Sequence, residues 1–173
     1  MVEMTGGRTL VPEGLSESAW SPFGWLPVSD TDPKDGEHRM TFKWDDAHVN
    51  IIGHFRNEVP ETDMGLRCEM LYRHDTHTQS LMVVNVPAVI AVAPSSVEFT
   101  AEGDQGSIRV FRLEPLESLV LSLGTWHWGP FPIEAPEVRL FNVQGLRYAE
   151  DNRCKDLAAL GLSVDVDLKS RPT

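Results

Sequence analysis

Between about residues 40 and 146, short runs of β-branched and aromatic side chains are broken by turn-forming residues. His48-Val-Asn-Ile-Ile-Gly-His-Phe-Arg56 is one such run. In Cys68–His74 the alternation places Cys68, Met70, Tyr72 and His74 on one face of a strand. Thr78–Asn85 and Ala88–Ala93 are apolar runs separated by Val86-Pro87, where proline marks a strand end or edge. Ile108–Leu113 follows the turn Glu102-Gly-Asp-Gln-Gly106, and Leu119–Leu123 and Val138–Val143 flank a Gly/Pro-rich stretch, Gly124–Pro136. Strands this short, with turn signals every 8–12 residues or about that, predict an all-β sandwich or barrel and not alternating βα units.

The flanks read differently. Residues 1–39 are rich in Gly, Pro, Ser and Asp and predict an irregular arm, with Ser16 capping one helical turn that ends at Trp20. Trp20, Phe23 and Trp25 in that arm need an apolar surface to cover. Near the other end, Asp151 is placed to cap a helix over Asn152–Leu160, with Leu157 and Leu160 as its apolar stripe and Gly161 just past its end. The expected organisation is one domain over residues 1–173: an arm at 1–39, a β core at 40–146 and a short helix at 150–161.

Composition narrows the class. Fifteen Lys and Arg against 26 Asp and Glu leave a net charge of −11 over 173 residues, which argues against nucleic acid or an anionic membrane as partner. No apolar run approaches the roughly 20 residues of a membrane span. The first residues carry neither the basic start nor the apolar stretch of a secretory signal, so a cytoplasmic location is expected. Cys68 and Cys154 form no C-x-x-C pair and no disulfide framework, and are expected to be inert.

Chemistry concentrates in two places. Arg73-His-Asp-Thr-His-Thr-Gln79 puts His74 at the end of one expected strand and His77 and Gln79 at the start of the next, so a tight turn points all three inward. About fifty residues on, Gly124-Thr-Trp-His-Trp-Gly-Pro130 offers His127 between Trp126 and Trp128. Imidazoles and an amide oxygen converging from neighbouring strands suit a borderline divalent metal; the alternative is half-exposed turn histidines. For His127, flanking indoles make an apolar wall that holds an imidazole neutral for proton transfer; the alternative is a hydrogen-bonded core histidine. Arg56, two residues after His54, is a candidate clamp for a substrate carboxylate, or else one half of an edge salt bridge. No phosphate loop, dinucleotide fingerprint, nucleophile elbow or H-E-x-x-H motif is present.

The same segments carry a resemblance. Leu71-Tyr-Arg-His-Asp-Thr-His-Thr-Gln-Ser-Leu-Met82 followed by Pro87–Pro94 resembles the first signature of the ureidoglycolate lyase (ureidoglycolate hydrolase) family. Gly124-Thr-Trp-His127 with Pro130 resembles its second, Leu15–Gly24 its opening, and Glu150-Asp-Asn152 an acidic motif near its end. The resemblance implies a cupin-like double-stranded β-helix, a homodimer, and a carbon–nitrogen lyase that splits ureidoglycolate into glyoxylate and urea in ureide (purine) breakdown. It implies roles for His74, Gln79 and His127, and loosely for Arg56, and a nickel or other divalent ion in some members, with no organic cofactor. The residues themselves leave two exclusive pictures: His127 as base with His77 or His74 as acid, or a divalent ion (Ni, Mn or Zn) bound by His74, His77, Gln79 and His127. Trp126 and Trp128 would line the substrate. Two positions depart from the family: His77 stands where glycine is common, and Trp128 where a second histidine often follows the first. These departures leave two further expectations open: a metal-dependent cupin lyase, isomerase or oxygenase for another small hydroxy- or oxo-acid, and a non-catalytic small-molecule-binding cupin.

Overall fold

A computed structural model describes residues 7–171. Its strands in chain order are β1 (Arg8–Leu10), β2 (Glu13–Gly14), β3 (Gly24–Trp25), β4 (Ala47–Phe55), β5 (Gly65–Cys68), β6 (Met70–Arg73), β7 (Gln79–Val83), β8 (Ala88–Ala93), β9 (Arg109–Leu113), β10 (Ser118–Leu121), β11 (Trp126–Pro132), β12 (Glu137–Gly145), β13 (Arg153–Asp156) and β14 (Val164–Asp167). They form a five-stranded sheet, β3-β10-β7-β12-β4, a six-stranded sheet, β13-β6-β11-β8-β9-β2, and a small sheet, β1-β14-β5. The all-β expectation holds, and the facing sheets are consistent with a cupin-like barrel.

Two apolar clusters explain why these runs became strands. Leu81 and Val83 of β7, Ile90 and Val92 of β8, Phe111 of β9, Leu119 and Leu121 of β10 and Leu140 of β12 fill the space between the two large sheets. Alternate residues of β8 (Val89, Ala91 and Ala93) point the other way, into a cluster with Leu66, Val164 and Val166 of the small sheet. All six residues of β8 are therefore buried, which is why its sequence is a continuous apolar run and not an alternating one. Each buried Val, Leu, Ile or Phe among them contributes about 1.5–3 kcal/mol.

The helical turn expected in the arm forms. Ser16 caps α1 (Glu17–Trp20), its hydroxyl accepting from the Ala19 amide at 3.3 Å. Trp20 and Phe23 close over Phe111 at 5.2 and 5.9 Å between ring centroids, while Trp25 stacks on His38.

The expected helix at 150–161 does not form. Tyr148–Asp151 is a single 3₁₀ turn, and Arg153–Asp156 pairs with β6 as the edge strand β13. The Asp151 carboxylate, instead of capping residues after it, accepts from the amides of Asp75 and Thr76 across the fold. Tertiary pairing thus outcompetes a weak local propensity. The stretch Gly124–Pro136 is also more regular than its composition suggests. It contains β11, whose register against β8 shifts between Trp128 and Phe131. Gly129 sits in that shift at φ +87°, and a Cβ there would come within 2.8 Å of the Phe131 amide nitrogen.

Candidate active site

The polar residues of interest collect at one end of the barrel because strand alternation turns them onto its inner face. On β4 the inward positions include Ile52 and His54, and on β12 they run Val138, Leu140, Asn142, Gln144. The apolar members fill the core, and the polar ones border a cleft of about 610 Å³. Its walls include His54, His74, Gln79, His127, Trp128 and Tyr148.

His127 enters from β11, opposite Tyr72 of β6. The turn before it depends on Gly124, at φ +72°, whose amide donates to the His74 carbonyl at 2.7 Å. His74 follows β6, and His77 and Gln79 lead into β7. His74 stacks on His77 at 4.4 Å and lies 5.3 Å from His127, ring to ring. All three imidazoles are buried.

Their tautomers follow from their partners. Nδ1 of His74 faces the Asp151 carbonyl at 2.7 Å, Nδ1 of His127 faces the Thr125 carbonyl at 3.2 Å, and Nδ1 of His54 faces the Pro130 carbonyl at 2.8 Å. A carbonyl only accepts, so each Nδ1 carries the hydrogen and each neutral ring keeps a lone pair on Nε2. Burial, reinforced by repulsion from His74, pushes the His127 imidazole down to about 3. Burial and the same neighbour bring His77 to about 4, and burial lowers His74 as well. The cluster is uncharged near neutral pH.

Gln79 is oriented by an amide relay. Its Nε2 donates to Asn142 Oδ1 at 2.8 Å, and Asn142 Nδ2 donates to Asn50 Oδ1 at 2.8 Å. Gln79 Oε1 is left buried without a hydrogen-bond partner, as is His77 Nε2. His77 itself stands outside the cleft wall, its Nδ1 3.5 Å from Asp151 Oδ2. His74, His77 and Asp151 offer ligand atoms that all lie within 4.8 Å of one another, a group that could hold a metal ion. His127 is not part of that group.

Two expected roles meet a different geometry. Arg56 does not line the cleft. β4 ends at Phe55, and a 3₁₀ turn over Arg56–Glu58 breaks the alternation that would have kept Arg56 on the face of His54. Its guanidinium donates to Glu61 at 3.0 Å and to the Ile133 carbonyl. Trp126 also lies off the cleft, buried beside Phe99 with its indole N–H on the Val97 carbonyl; only Trp128 of the two indoles borders the site.

Asp151 was the residue least visible beforehand as part of this site. It is buried, its carboxylate accepts from Asp75 N (3.0 Å), Thr76 N (2.7 Å) and Thr76 Oγ1 (2.5 Å), and its carbonyl fixes His74. The acidic Glu150-Asp-Asn152 segment was its one signal. Asn142 and Gln144 had a clearer one, as polar residues on the apolar parity of a strand. Cys68 is buried, and burial raises its thiol far beyond the ordinary range, while Cys154 is exposed; neither is paired. Among the described residues no helix is long and apolar enough to cross a membrane.

No individually curated protein matches the chain closely enough to serve as a relative. A family model described as ureidoglycolate lyase does match, over residues 7–159. That span takes in most of the arm, both histidine segments and Asp151, and the chain belongs to the ureidoglycolate lyase family.

Proposed function

We propose that the chain splits ureidoglycolate into glyoxylate and urea in this cleft, with His127 carrying the proton that moves. The substrate has a hydroxyl and a urea nitrogen on the same carbon. Its collapse forms the carbonyl from the hydroxyl oxygen, breaks the carbon–nitrogen bond and shifts one proton from oxygen to nitrogen. The supporting observation is the buried His127 ring with Nδ1–H held by a carbonyl, which leaves Nε2 to accept the hydroxyl proton. Burial makes this imidazole a weak base, and by the same measure it makes the imidazolium a strong acid. Protonating the departing nitrogen is the demanding part, so one ring serves both transfers.

The donor set suits a divalent ion. His74 has a free Nε2, while His77 Nε2 and Gln79 Oε1 are buried and unpartnered. With Asp151 these are the nitrogen and oxygen donors that Ni²⁺, Mn²⁺ or Zn²⁺ accept, and His127 stays available for proton transfer. When bound, the ion supplies Lewis-acid polarisation of the substrate's hydroxyl oxygen. Glyoxylate release from racemic ureidoglycolate tests this reading, measured after chelation and again with each ion. Turnover well above the spontaneous rate is expected, lowered by chelation and restored by one of the three. No turnover with any ion would refute it.

A second copy of the chain is the partner this reading assigns to the outer face of the five-stranded sheet. There Ile51 (58% exposed) sits opposite Phe141 (40%), and Val49 (59%) opposite Val143. A contiguous apolar face of this kind marks an association surface. Sedimentation equilibrium should return about twice 19.3 kDa, and a monomer would remove the assignment.

A further inference from the structure

Ureidoglycolate carries a carboxylate, and Arg56 has its hydrogen bonds committed away from the cleft. Among the residues that border the cleft, Arg67 is the one arginine or lysine, and the acidic ones are Glu58 and Glu69. Arg67 lies on β5 directly opposite Asp165 of β14. Its Nε donates to Asp165 Oδ1 at 2.6 Å and its Nη2 to Asp165 Oδ2 at 3.1 Å.

A guanidinium has two edges that match a carboxylate, the side edge of Nε and Nη2 and the end edge of Nη1 and Nη2. Asp165 takes the side edge. Among the described residues nothing accepts from the end edge, and the side chain is 31% exposed at the cleft wall. We propose that the Nη1/Nη2 edge of Arg67 binds the substrate's carboxylate while Asp165 holds the opposite edge, an inference that rests on reading this cleft as the ureidoglycolate site. The arrangement fixes a cation in a wall that otherwise carries glutamates. One negative charge is accepted there, and a second would face Glu58 or Glu69.

Oxamate, a monoanion resembling the glyoxylate product with an amide attached, is the probe. Its affinity is measured by calorimetry on the wild type, Arg67→Gln and Asp165→Asn, beside KM and kcat for ureidoglycolate. Both variants break the same cross-strand ion pair, so both register any purely structural role. Only Arg67→Gln removes the end edge. It is expected to weaken oxamate and raise KM by about 10- to 100-fold, the range for a charge-assisted hydrogen-bonded pair, with kcat changed less than KM. Asp165→Asn is expected to bind oxamate at least several-fold more tightly than Arg67→Gln. The assignment is overturned if the wild type does not bind oxamate, if Arg67→Gln binds it normally, or if both variants lose it equally. Arg67-dependent oxamate binding without ureidoglycolate turnover would overturn the reaction and leave the carboxylate site standing.

Discussion

Replacing His127 by alanine is expected to lower kcat for ureidoglycolate cleavage by about 10²- to 10⁴-fold, the usual contribution of a positioned proton-transfer group. The effect is large because both proton transfers are assigned to this one ring. His74 is also neutral with Nε2 free, but it belongs to the group of residues that could hold the ion. The fold should survive. The His127 ring makes one hydrogen bond, to the carbonyl two residues before it, while β11 is anchored by Trp126 and Trp128 in the apolar cluster. Steady-state kinetics beside circular dichroism checks both halves. A folded variant with near-normal kcat would show that the proton takes another route.

Asp151→Ala is expected to cost about 3 kcal/mol of stability, because two half-buried backbone amides and one hydroxyl lose a charged acceptor together. For a chain of this length that corresponds to a fall in Tm of about 6–12 °C. The substitution keeps the Asp151 carbonyl, so His74 retains its tautomer, but the Asp75–Thr76 turn that carries His74 and His77 is released. A drop in kcat of at least about tenfold should accompany the thermal loss, as expected for displaced catalytic groups. Asp151→Asn, which keeps one acceptor oxygen, should fall between the two. Calorimetry showing an unchanged Tm for Asp151→Ala would mean that the clamp carries no stability.

What the sequence revealed depended on whether the deciding contacts were local. β-Branched and aromatic residues in His48–Arg56 and the apolar runs at Ala88–Ala93 and Val138–Val143 located β4, β8 and β12. The two histidine segments were legible because His74, His77 and His127 stand at strand ends. β11 was hidden because Gly129 and Pro130, which read as loop, form a bulge within a strand. β13 was hidden because Arg153-Cys-Lys-Asp156 is an edge strand held by pairing with β6, and its own residues are largely polar. Arg56 was misplaced by a single strand ending, since one 3₁₀ turn reverses the parity on which the clamp assignment rested. Arg67 and Asp165 lie 98 residues apart, and only the β5–β14 register brings them together.

β8 contributes one face to the cluster between the large sheets and the other to the cluster beneath the small sheet. Neither layer can lose its packing without stripping a face of the same strand, so the two clusters are thermodynamically joined and unfold as one cooperative unit. The cleft inherits that rigidity through β11, which pairs with β8 at His127↔Val92. The residue proposed to carry the proton is paired, through its backbone, with the strand whose release would mean global unfolding.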